Sequence, residues 1–92
     1  LSFFERRKSP RFAINKEIKL FLNEKEELVG KLDNISDNGC LIIFEHDSKI
    51  NLKDKVRFSL NTNSSSMEFK GYVIRVEKFL GKTKIGVFFE EY

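Results

Sequence analysis

Met67-Glu68-Phe69-Lys70-Gly71-Tyr72-Val73-Ile74-Arg75-Val76 is the stretch that decides the fold. Successive side chains of a strand point to opposite faces, so residues of one parity share a face. Met67, Phe69, Gly71 and Val73 share one parity, and Ile74 and Val76 take the other. A switch of parity near Gly71–Val73 is what a bulge or sharp bend produces in a strand that curls round a barrel.

The flanking sequence has the same period. Ile18, Leu20 and Leu22 alternate with Lys19 and Phe21, and Val56, Phe58 and Leu60 alternate with Lys55, Arg57 and Ser59. Leu28 and Leu32 fall on one face with Gly30 between them, and Ile85, Val87 and Phe89 close the series. Cys40–Phe44 is continuously apolar, the pattern of a strand buried on both faces. Between these runs lie Asn23–Glu27, His46–Asp54, the polar Asn61–Ser66 and the Gly81-containing Phe79–Thr83, all rich in turn formers. In Asp33–Gly39, the pair Asn38–Gly39 is expected to supply a positive φ.

Turns at intervals of about ten residues, without a long helical stripe, predict an all-β chain. The expected architecture is a small six-stranded antiparallel β-barrel with little or no helix. Its strands fall over 12–23, 27–34, 39–45, 55–61, 67–78 and 82–90, with one helical turn at Ser48–Lys53. Residues 1–11 read as a flexible N-terminal arm and 12–92 as the barrel. With 92 residues and 10.8 kDa the chain fills one domain. Its opening on Leu1 rather than methionine suggests one module of a longer protein.

Composition excludes several classes. Ten phenylalanines and a single proline argue against disorder. No apolar run approaches the roughly 20 residues of a membrane-spanning helix, and no secretory signal opens the chain. The lone Cys40 cannot form an internal disulfide, which suits a reducing cytoplasm. One histidine and one cysteine fall short of a zinc site, so no metal is expected. His46 lies in a polar loop, Cys40 begins an apolar run, and the acidic groups Glu24, Glu26, Glu27, Glu90 and Glu91 read as solvated surface. No catalytic residue is assigned and the chain is not expected to be an enzyme.

Two segments carry the remaining signal. Lysine outnumbers arginine twelve to five, yet Arg6, Arg7 and Arg11 crowd into one short stretch. A guanidinium is a planar fork of donors suited to phosphates and purine edges, which lysine is not. Pro10 biases Ser9 toward extended backbone and so separates Arg7 from Arg11. Alone, this segment is as well explained by a solvated basic arm. Asp33–Gly39 is, alone, better explained as a structural turn, although Asn34 and Ser36 share a parity at a strand end and suit anion binding.

Taken together, Arg7-x-x-x-Arg11, 22 intervening residues, and Asn34-x-Ser36-x-x-Gly39 resemble the PilZ domain family. Gly71-Tyr72-Val73-Ile74-Arg75 and Ile85-Gly86-Val87-Phe88-Phe89 look like its fifth and last strands, so the resemblance covers residues 5 to 90. It implies a cytoplasmic receptor domain of a bacterial second-messenger system, binding cyclic di-GMP as a stacked pair and needing no other cofactor. It further implies that Arg7 and Arg11 meet phosphates and the guanine O6/N7 edge, with Arg6 a further contact. Asn34 would meet a guanine edge, Ser36 a phosphate or base, and Gly39 would allow close backbone approach. Two alternatives stand beside this reading: a small barrel binding single-stranded nucleic acid, and a protein-interaction module. A net charge of +3 and the absence of tryptophan weigh against the first, so DNA and RNA are not expected partners.

Overall fold

Strands with one apolar face must bury it together, and closing the sheet into a cylinder does so without a second layer. The computed structural model describes residues 12–61 and 63–90. It contains β1 (Phe12–Leu22), β2 (Glu26–Ile35), β3 (Gly39–Phe44), β4 (Lys55–Asn61), β5 (Ser66–Phe79) and β6 (Lys82–Phe89). All neighbours are antiparallel, and the order β1-β2-β3-β6-β5-β4 closes into a barrel. Each strand boundary lies within one residue of its sequence expectation. Arg6, Arg7 and Arg11, with the remainder of the expected arm, lie outside the described residues.

The inward row is Ile18, Leu20 and Leu22 of β1, Leu32 of β2, and Cys40, Ile42 and Phe44 of β3. Val56 and Phe58 of β4, Val73 of β5, and Ile85 and Val87 of β6 complete it. Phe69 stacks against Phe58 at 5.2 Å between ring centroids and meets Phe89 at 5.1 Å. The segment from Glu45 to Asp54 crosses from β3 to β4 and contributes buried Ile50 to the core.

Four local expectations change. First, the parity switch in β5 occurs between Val73 and Arg75, slightly beyond Gly71–Val73. Val76 packs on the core, but Ile74, the extra residue of the bulge, is 55% exposed. Second, β3 is not buried on both faces: Cys40, Ile42 and Phe44 are buried, while Leu41 and Ile43 are half-buried on the outside. Third, Ser48–Lys53 forms no helical turn. Asn51 and Asp54 instead close a tight turn, with Asp54 N donating to Asn51 O and Asn51 N donating to Asp54 Oδ2. The carboxylate takes an amide that a helix would have to satisfy elsewhere. Fourth, neither Asn38 nor Gly39 has a positive φ. Left-handed backbone is used at the β5–β6 hairpin, at Leu80 (φ 50°) and Gly81 (φ 76°), as a two-residue turn between twisted strands requires.

Candidate functional site

Gly39 opens β3 where the strand lies against β6. A Cβ there would overlap the carbonyl oxygen of Val87, so glycine is required by packing against a neighbouring strand. That close approach fixes the β2–β3 turn. Ser36 N donates to Gly39 O at 2.8 Å, and Phe89 N donates to Asn38 O at 2.8 Å, tying the turn to the end of β6. The Ser36 hydroxyl accepts from Asn38 N at 3.3 Å and donates to Gly39 O at 3.4 Å. Both bonds are long, so a stronger partner can take the hydroxyl at small cost.

Asn34 sits one step inside this turn. It is paired with Ala13 of β1 and Leu41 of β3, and its Nδ2 donates to Asp33 Oδ2 at 3.1 Å. Thus Asn34, Ser36 and Gly39 gather at one strand end. Phe12 pairs with Ile35, between Asn34 and Ser36, so β1 begins beside that same strand end.

The register extends this neighbourhood across the outside of the barrel. One row runs Asn34, Leu41, Gly86, Arg75, and the next runs Gly39, Phe88, Tyr72. Gly86 is buried beneath its neighbours and so lets them form a low floor: a Cβ built there would lie 3.5 Å from Arg75 Cβ, 3.7 Å from Arg75 Nε and 3.7 Å from Leu41 Cδ2. Tyr72 and Phe88 form an exposed aromatic pair beside that floor, 5.8 Å between centroids. This surface therefore offers an amide, a hydroxyl, a guanidinium and two rings around a glycine. Such a set suits a flat polar guest that carries negative charge.

Leu41, Tyr72, Arg75, Gly86 and Phe88 were not legible as site residues. Their signal is cross-strand register, which joins positions as far apart as 34 and 86. Arginine scarcity was a usable clue for Arg75, since only five occur in the chain. It does not act alone, because Arg57 is equally scarce and differently employed. Arg57 donates from Nε to Glu24 Oε2 at 2.9 Å, from Nη2 to Glu24 Oε1 at 3.0 Å, and from Nη1 to Glu68 Oε2 at 3.2 Å. Its guanidinium carbon also lies 4.6 Å from the Phe21 ring centroid. The hydrogen bond from Arg57 holds the Glu24 carboxyl below its ordinary pKa, and the bond to Glu24 raises that of Arg57.

Among the described residues no group of three or more His, Cys, Asp or Glu side chains could hold a metal ion, and no helix is long and apolar enough to cross a membrane. His46 is exposed, with its ring edge-on to Phe44, and Cys40 is buried in the core.

A sequence model of the PilZ domain matches residues 5–92. No curated protein sequence matches the chain. Among solved structures, the chain is similar to the Bacillus subtilis inhibitor of motility, MotI/DgrA, at 17% identity and a TM-score of 0.71, covering 94% of this chain and 43% of that one. It is also similar to K. pneumonia MrkH, solved as a complex with c-di-GMP, at 19% identity and a TM-score of 0.57, covering 94% of this chain and 45% of MrkH. The chain spans less than half the length of either neighbour.

Proposed function

The chain belongs to the PilZ domain family, and on that premise we propose that it is a receptor domain for cyclic di-GMP, binding without turnover. The observation that carries the reading is the register Phe12↔Ile35. It starts β1 between the positions of Asn34 and Ser36, so the preceding segment with Arg6, Arg7 and Arg11 is tethered at the strand end that holds the polar loop.

The chemistry of the guest fits these groups. A cyclic dinucleotide presents two phosphates, two purine faces, and guanine edges of opposite character. The O6/N7 edge is all acceptors and takes an arginine fork, worth about 1–3 kcal/mol of discrimination. The N1–H and N2–H edge is all donors and takes the Asn34 oxygen. Ser36 exchanges its long turn bonds for a phosphate or base contact. The exposed Tyr72–Phe88 pair offers ring faces to a purine, beside the Arg75 guanidinium that lies over Gly86. Binding closes the arginine segment over a stacked pair of ligand molecules, and that closure is the signal passed on. The buried, single Cys40 suits a reducing cytoplasm as the site of action.

Calorimetric titration with cyclic di-GMP tests the reading. The expected outcome is saturable binding in the micromolar range, about 8 kcal/mol, with a stoichiometry that counts the bound molecules. Absence of saturable heat at tens of micromolar ligand overturns it, as does equal, strongly salt-dependent affinity for a short single-stranded oligonucleotide.

A further inference from the structure

Asp33 and Asn34 are consecutive, and in a regular strand they would face opposite sides of the sheet. They do not. The β2–β3 register passes from Leu32↔Ile42 to Asn34↔Leu41, leaving Asp33 as the extra residue of a bulge. Leu32 is buried and Ile35 packs on the core, so the two residues between them both turn to the outer face. There Asn34 Nδ2 donates to Asp33 Oδ2 at 3.1 Å.

An ionised carboxylate only accepts, so the amide must turn its NH2 end toward Asp33; the flipped amide would set two oxygens against each other. With that end committed, the carbonyl oxygen points away from Asp33. We infer that Asp33 is a positioning residue which, through the bulge, holds the Asn34 amide with its oxygen toward the ligand and so selects guanine over adenine.

The inference rests on the cyclic di-GMP reading and sharpens it. Guanine presents two adjacent donors, N1–H and N2–H, on its Watson–Crick edge, where adenine presents the single N6–H2 donor group beside an N1 acceptor that an oxygen repels. An amide held oxygen-outward therefore does what a carboxylate would do at position 34. An amide that lacks this bond is held less firmly oxygen-outward, and the distinction narrows. Electrostatics alone predicts the reverse effect of deleting Asp33, because removing a negative charge should tighten binding of a dianion.

The test is calorimetry of cyclic di-GMP and cyclic di-AMP with wild type, Asp33→Ala, Asp33→Asn and the double variant Asp33→Ala/Asn34→Asp. In Asp33→Ala, cyclic di-GMP affinity is expected to fall about five- to tenfold, and the preference over cyclic di-AMP to narrow by a similar factor. Asp33→Asn keeps an acceptor beside the amide and should stay within about threefold of wild type. The double variant, whose carboxylate accepts at either end, should recover to within about twofold. An Asp33→Ala protein with unchanged affinity and preference overturns the inference while leaving the receptor reading intact. So does a double variant as weak as the single one. A wild-type protein that ignores cyclic di-GMP overturns both.

Discussion

Arg57 and Arg75 are strand arginines of one barrel in opposite circumstances. Arg57 on β4 is gripped by Glu24 from the β1–β2 turn, by Glu68 on β5 and by the Phe21 ring on β1, so its charge and donors serve the protein itself. Arg75 on β5 lies over Gly86, with no ion-pair partner among the described residues, one row from an exposed aromatic pair. A satisfied guanidinium adds rigidity where strands meet, whereas one with no carboxylate partner among the described residues keeps its charge turned to solvent. Residue type does not separate the two. Carboxylates within reach do.

The contrast can be broken most forcefully through the arginine segment. Arg7→Ala and Arg11→Ala should each weaken cyclic di-GMP binding by at least about tenfold in calorimetry. An equal loss in Arg57→Ala would erase the distinction between the regions. Filling the floor comes next. Gly86→Leu must push Leu41 and Arg75 aside and should lower affinity about fivefold, while Arg75→Ala should lose about threefold with a thermal melt that matches wild type. Ordinary affinity in Gly86→Leu would put the ligand elsewhere.

The other region should respond in stability. Arg57→Ala is expected to change ligand affinity less than about twofold while lowering the melting temperature by a few degrees, because two carboxylates and a ring lose their common partner. The smallest effect is in pH. The Glu24 carboxyl is held below its ordinary value chiefly by its hydrogen bond from Arg57, so its stabilisation exists above its unfolded pKa and is lost as pH falls through the folded one. Glu24→Gln should therefore melt lower than wild type at neutral pH, and the two curves should converge as the pH falls through the lowered Glu24 value. Parallel curves at every pH would dismiss the ion pair as a stabilising contact.

Parity made the strands legible, because each apolar alternation has only one way to be buried. The curl of β5 was legible from Gly71 to Val76 for the same reason, although the exposed Ile74 was not. The β2 bulge was invisible, since Asp33 and Asn34 are both polar and a change of face between them leaves no mark on the pattern. The outer half-burial of Leu41 and Ile43 was hidden likewise, because an all-apolar run carries no alternation to read. In the sequence Gly39 marks backbone freedom; in the fold it is required instead by the Val87 carbonyl beside it. Asn34, Ser36 and Gly39 could be named as a group from their spacing, but Gly86 and Arg75 join them only through two strand pairings that no local window contains.

β1 and β4 meet over three registered pairs, Leu20↔Phe58, Phe21↔Arg57 and Leu22↔Val56, the shortest ladder of the six. Whatever breathing the cylinder allows should begin along this seam, and amide hydrogens of Leu20–Leu22 and Val56–Phe58 should exchange with solvent sooner than those of β3 and β6. The same join links segments more than thirty residues apart, so, like the still longer-range β3–β6 pairing, it should form after the local hairpins. The Arg57 cluster straddles it like a rivet. Loosening that rivet would make the domain an easier target for proteases on the side away from the glycine floor.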